Sequence, residues 1–199
     1  LMYLPEVAFD IEDFLSRVKK LLEKKPFVIA AVSEGIRLED GRYVCELTDG
    51  VDFVDAFGHK QLTGTANYLA RRLSQEIGCK TRSIELSSLQ RAASHLASRI
   101  DILEAFQVGG AAVKAADEGD TGEMVILKRI SDDPYQCTTE LRNVHKVSNV
   151  EKTVPREWIN KNGTYVTEEF ISYVRPLIQG DVSPVMVDGI PRYLYHKKK

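Results

Sequence analysis

The sequence predicts an α/β protein, and three of its features carry that prediction. A strand, a helix and a second strand follow one another within the first 33 residues. The second strand is a continuous apolar run, the pattern of a parallel strand covered on both faces. Helical and strand-like segments then keep alternating as far as residue 130. A β-α-β unit joins parallel strands, so the expected architecture is three-layered, helix on sheet on helix, with a mainly parallel sheet.

The elements follow in order. Leu1–Leu4 reads as a short strand that Pro5 stops, because proline cannot donate to a ladder. Asp10 is a helix cap, and Ile11, Phe14, Leu15, Val18, Leu21 and Leu22 fall at helical spacing before Lys24-Lys25-Pro26 ends the helix. Phe27–Val32 is the continuous apolar strand. The turn pairs Asp40-Gly41 and Asp49-Gly50 suggest a hairpin or an exposed loop. Helix resumes after Thr63-Gly64 with a stripe of Leu69, Leu73 and Ile77, and Gly78 ends it as a left-handed cap. Cys79–Leu86 alternates as a strand, with Ser87–Arg91 as its exit loop. Residues 101–118 form an alanine-rich helix in which Gly109-Gly110 suits close packing, and Glu123–Ile130 is a further strand. The organisation is expected to be an α/β part over 1–143 and a peripheral segment over 144–199, with short helices near Arg156–Ile159 and Thr167–Leu177.

The chain has 199 residues, 43% hydrophobic and 28% charged, with a formal net charge of -2. That is ample for a core and far from the composition of disordered chains. The charge balance excludes bulk attraction to nucleic acid or an anionic membrane surface, so any bound anion needs a local site. Cys45, Cys79 and Cys137 are odd in number and have no C-x-x-C pair, which points to free thiols and a cytoplasmic setting. No apolar run is long enough to span a membrane. Because the sequence starts on Leu1 and enters an apolar stretch at once, it is expected to be part of a longer protein.

In open α/β sheets ligands bind beyond the carboxyl ends of the strands. Three places qualify: Pro5-Glu6, Ser33-Glu34-Gly35, and the stretch from Thr81-Arg82 to Gln90-Arg91. A carboxylate there can accept from sugar hydroxyls, and an arginine fork suits a phosphate. Each also has a plain alternative, a solvated or capping glutamate and an exposed surface cation. His59 and His95 have no partner at catalytic spacing, and Tyr193–His196 is too short for a nucleic-acid stacking patch. No phosphate-loop, dinucleotide, metalloprotease or serine-hydrolase motif is present.

Five motifs stand in a fixed order: Leu1-Met2-Tyr3-Leu4-Pro5-Glu6, Ala31-Val32-Ser33-Glu34-Gly35-Ile36, Phe57-Gly58-His59-Lys60-Gln61-Leu62, Leu89-Gln90-Arg91-Ala92-Ala93-Ser94-His95 and Val154-Pro155-Arg156-Glu157-Trp158-Ile159. This set resembles the 6-phosphofructokinases, most of all their bacterial pyrophosphate-dependent branch, up to about residue 180. The resemblance implies the C-terminal part of that fold and assigns Glu6 to the hydroxyls of fructose 6-phosphate. It assigns Arg82 to the sugar phosphate across a subunit interface, and Ser88, Leu89, Gln90 and Arg91 to the same phosphate. Where the family usually has glycine followed by tyrosine or histidine, this sequence has Ser87-Ser88.

By the same resemblance the glycine-rich donor loop, the Gly-Gly-Asp magnesium segment, the Thr-Ile-Asp-Asn-Asp motif with the aspartate base, and the Met-Gly-Arg motif would all precede Leu1. The chain is therefore expected to hold the acceptor side of a phosphoryl transfer from pyrophosphate or ATP, with no catalytic residue and no bound cofactor of its own. Magnesium would be held elsewhere in the parent enzyme. Expected partners are fructose 6-phosphate, the N-terminal part of the same enzyme, and further copies in a dimer or tetramer. An autonomous sugar-phosphate-binding or regulatory module is the alternative.

Overall fold

The computed structural model describes residues 1–47 and 63–192. The Asp49-Gly50 turn, the Phe57–Leu62 motif with His59, and Tyr193–Lys199 lie outside the described residues. Two compact units emerge, one of residues 1–86 with 153–168, the other of residues 87–152 with 169–199.

In the first unit the β-α-β reading holds. Strand β1 (Met2–Tyr3) pairs in parallel with β2 (Ala31–Val32), Met2 opposite Ala31 and Tyr3 opposite Val32. Helix α1 (Ile11–Leu22) connects them. It starts where expected because the Asp10 carboxylate accepts from the Glu12 and Asp13 N–H groups at 2.9 and 3.0 Å, satisfying donors that have no intrahelical acceptor. Its apolar face buries Phe14, Leu15 and Val18. Tyr3, Phe9 and Phe14 form an aromatic cluster, with Tyr3 edge-on to both phenylalanines at centroid distances of 5.0 and 5.6 Å. Ile36, Val44 and Leu69 complete this core. Leu69 comes from α2 (Thr65–Ile77), which Gly78 ends at a left-handed φ of 73°. Gly41 turns the chain at φ 86°, and Arg37 bridges Tyr43 antiparallel, the expected hairpin turn.

Two strand expectations in this unit need correction. Only Ala31–Val32 of the run Phe27–Val32 enters a ladder, and it is not covered on both faces: Phe27 and Ile29 are 67% and 74% exposed. Cys79–Leu86 is not a strand either. It keeps the alternation but has no ladder. Thr81 Oγ1 donates to the Ala70 carbonyl at 3.0 Å, Ser83 bonds Asn67, and Glu85 accepts from Asn67 Nδ2 at 3.4 Å, so the polar positions lie along α2. The alternate positions Arg82, Ile84 and Leu86 are exposed. A strand needs a hydrogen-bonded neighbour, and among the described residues this segment has none.

In the second unit Ser87–Arg91, expected as a loop, belongs to a short helix, α3 (Ser87–Ala92). The alanine-rich helix is present as α4 (Arg99–Asp117). Ser98 caps it: its hydroxyl oxygen accepts from Asp101 N–H at 3.1 Å and its hydrogen goes to the Leu177 carbonyl at 2.6 Å. Among the described residues the Gly109-Gly110 pair packs against nothing, for a Cβ at either position would find none of their atoms within 4 Å. Strand β3 (Glu123–Asp132) runs two residues beyond expectation and pairs antiparallel with β4 (Tyr135–Asn143), which the sequence reading missed. The Arg129 guanidinium stacks 4.7 Å from both the Tyr135 and Tyr173 rings, ion-pairs with Asp132 at 2.6 Å and donates to the Tyr173 carbonyl at 2.7 Å. Helix α5 (Glu168–Val174) and the turn Arg175–Ile178 match the short helix expected from Thr167, and β5 (Met186–Val187) pairs antiparallel with β6 (Ile190–Pro191). The described strands thus form three pairs, one parallel and two antiparallel, in an α/β fold.

Candidate functional site

Glu6 sits in the turn that Pro5 opens after β1, beyond the carboxyl end of that strand. Its Oε1 accepts from the Val154 N–H at 2.8 Å, across 148 residues of sequence, and its Oε2 is buried with no hydrogen-bond partner among the described residues. A carboxylate pinned by one oxygen with the other unsatisfied is an acceptor held in a fixed direction. The motif around Val154 therefore has a structural purpose that its sequence did not disclose. Arg156, two residues on, donates to the carbonyls of Ile159, Asn160 and Lys161 at 2.9, 3.2 and 3.4 Å, so it closes a backbone turn.

Arg82 belongs to the same unit as Glu6. It is exposed, and among the described residues it makes no hydrogen bond or ion pair. Thr81, anchored on the Ala70 carbonyl, holds the backbone beside it. The second turn candidate, Ser33-Glu34-Gly35, is a closed local structure: Ser33 Oγ accepts from Gly35 N–H at 3.2 Å and the Glu34 carbonyl accepts from Thr65 Oγ1 at 3.4 Å. The Glu34 carboxylate itself is exposed.

Ser88, Leu89, Gln90 and Arg91 lie in the second unit, on α3, and all four are exposed. Arg91 also has no hydrogen-bond or ion-pair partner among the described residues. Cations left without carboxylates are available to an anion. Ser87, which opens α3, has a φ of 46°, in the left-handed region that a glycine occupies without strain. The departure from glycine noted in the sequence falls on this backbone position. His95, in the turn after α3, is exposed.

Among the described residues no three His, Cys, Asp or Glu side chains gather where they could hold a metal ion. Magnesium takes an octahedral set of oxygens, and among the described residues no cluster of carboxylates supplies one. A cleft of about 260 Å³ between α4 and the β3–β4 hairpin is lined by alanines with Asp120, Thr121 and Glu123. It holds two carboxylates and no cation, which disfavours a phosphate there. Cys45, Cys79 and Cys137 are in no disulfide, and burial pushes the thiols of Cys45 and Cys137 up. No described helix is long and apolar enough to cross a membrane.

Comparison with known proteins agrees with the motif order. A pyrophosphate--fructose 6-phosphate 1-phosphotransferase of Halomonas elongata is 40% identical over 192 residues, covering 96% of this chain and 45% of that protein. The protein of the same name from Xanthomonas campestris pv. campestris is 38% identical over 196 residues, 98% of this chain and 46% of its own length. Among solved structures, a pyrophosphate-dependent phosphofructokinase from Nitrosospira multiformis matches with a TM-score of 0.79 at 32% identity, covering 98% of this chain and 44% of that one. The chain therefore spans a little under half the length of the relatives it matches. The sequence pattern of the family described as Phosphofructokinase matches residues 1–116, and the chain belongs to the phosphofructokinase family.

Proposed function

We propose that this chain supplies the sugar-phosphate side of a pyrophosphate-dependent 6-phosphofructokinase, which moves a phosphoryl group from pyrophosphate to the 1-hydroxyl of fructose 6-phosphate. The agreement with the pyrophosphate-dependent relatives over 96% and 98% of the chain carries this reading. In it Glu6 accepts hydrogen bonds from the sugar hydroxyls through Oε2, Arg91 binds the sugar phosphate together with the backbone of Leu89 and Gln90, and Ser88 donates one hydrogen bond to it. Arg82 meets the phosphate of a neighbouring subunit in a homo-oligomer. Residues 1–143 carry these contacts, and residues 144–199 support them.

Phosphoryl transfer depends on positioning and on charge stabilisation around the group in flight. We assign the donor site, the general base and magnesium to the rest of the enzyme, and the location to the cytoplasm. The three-layer, mainly parallel sheet would be completed in the whole enzyme, where Phe27, Ile29, Ile84 and Leu86 acquire cover; their exposure here supports this.

The isolated 199-residue chain is expected to release no phosphate from pyrophosphate in the presence of fructose 6-phosphate and magnesium, while the whole enzyme does so. Turnover by the isolated chain would overturn the division into acceptor and donor sides.

A further inference from the structure

One carboxylate joins two segments that are distant in sequence. Val154 N–H holds Glu6 Oε1, and Glu6 Oε2 is left buried without a donor. An unpaired buried carboxylate oxygen is costly, and a ligand hydroxyl that reaches it removes the cost.

The segment that presents Val154 is fixed at several points. Arg156 ties together the carbonyls of Ile159, Asn160 and Lys161. Asn160 Oδ1 accepts from Thr164 and Tyr165 N–H groups at 2.9 and 3.3 Å, and Ile159 bridges Val166 antiparallel. The far side of this strap docks on the strand that leads to Glu6, the Thr164 carbonyl accepting from Met2 N–H at 2.9 Å. Gly163, at φ 67°, lies so close to Val7 that a Cβ would stand 2.7 Å from Val7 Cγ1. Ile159, Thr164 and Val166 are buried. The strap therefore grips both the strand before Glu6 and the residue after it.

We infer that the strap Thr153–Glu168 is a positioning element for the sugar. Its Val154 N–H fixes the Glu6 carboxylate so that Oε2 is the oxygen presented to a sugar hydroxyl, and sugar binding is coupled to the docking of the strap. The coupling follows from the shared carboxylate: the N–H that holds Oε1 belongs to the strap, so a hydroxyl bound at Oε2 and the docked strap favour the same position of Glu6. Val154 is a positioning residue and touches no reacting atom. This inference rests on the reading of Glu6 as a sugar contact.

The test uses the whole enzyme that carries this chain. Val154→Pro deletes the N–H at a position whose following residue, Pro155, already demands extended backbone. Gly163→Ala is the second variant; it pushes the strap against Val7 and leaves Val154 intact. Both are expected to raise KM for fructose 6-phosphate roughly tenfold, the size of one charge-assisted hydrogen bond, with KM for pyrophosphate unchanged. Val154→Pro should add little in a Glu6→Ala background. Hydrogen exchange in residues 153–159 should slow when fructose 6-phosphate is added. If Glu6→Ala raises KM for the sugar while neither strap variant does, or if Val154→Pro adds in full to Glu6→Ala, the strap inference is overturned and the reading of Glu6 stands. If Glu6→Ala leaves that KM unchanged, both fall.

Discussion

Tyr3 shows how the core constrains a single residue. Its ring is buried edge-on to two phenylalanines, and its hydroxyl is buried without a hydrogen-bond partner among the described residues. Burial pushes the phenol up from 10.0 to about 12, because the phenolate would be desolvated. The folded state therefore holds this proton more tightly than the unfolded chain does. Stability from this group is intact below pH 10 and is lost as pH rises toward 12. Tyr3→Phe removes an unsatisfied polar atom and keeps the ring. We expect it to leave stability at neutral pH within about 1 kcal/mol of the parent or to raise it, and to flatten the decline above pH 10. Urea unfolding at a series of pH values checks both outcomes. Glu6 is the other instructive residue. Its place after a strand was legible from Pro5-Glu6, but its holder was not, since Val154 is 148 residues away and contributes only a backbone N–H.

At the scale of elements, the longer helices were more legible than the strands, although α3 was read as a loop and β1 and β3 were read as strands. α1 and α2 announce themselves through periodicity and local caps, Asp10 and Gly78, and α4 through its alanine content, whereas its cap Ser98 was not read. Helical hydrogen bonds are made within the segment, so nearby sequence decides them. Strand hydrogen bonds are made with another segment, and apolar alternation cannot say whether one is at hand. Cys79–Leu86 alternates without a ladder, while Tyr135–Asn143 pairs along its whole length with β3. The entry to α3 shows a local rule broken. Ser87 adopts φ 46°, a conformation that costs an L-residue about 1–2 kcal/mol relative to its right-handed one. Ser87→Gly relieves that strain but adds freedom to the unfolded chain. The expected net is a stabilisation of about 0.5–1 kcal/mol, read from the midpoint of urea denaturation. A destabilised Ser87→Gly would mean that the hydroxyl makes an essential contact.

The whole molecule is uneven. Every buried hydrophobic residue among those described belongs to the first unit. The second exposes Leu89, Leu96, Phe106 and Val113, with Phe106 80% exposed, and a two-stranded hairpin with one helix layer has little independent stability. Segments that bury little apolar surface open at low free energy. Limited proteolysis of the 199-residue chain is therefore expected to cut first within residues 87–152 and to leave residues 1–47 protected; the reverse order would contradict this assignment of the core. The same exposure fits a chain that spans under half the length of its relatives. The arithmetic of length and composition described a foldable domain, and it was the ordered motifs that pointed to a larger enzyme.

The functional proposal rests on the hold of Arg91 on the sugar phosphate. Its most direct test is the kinetics of the whole enzyme with Arg91→Ala. One lost arginine–phosphate contact, worth about 1.5–3 kcal/mol, should raise KM for fructose 6-phosphate about 10- to 100-fold and leave KM for pyrophosphate unchanged. An unchanged KM for fructose 6-phosphate, or an equal rise in both constants, would contradict it.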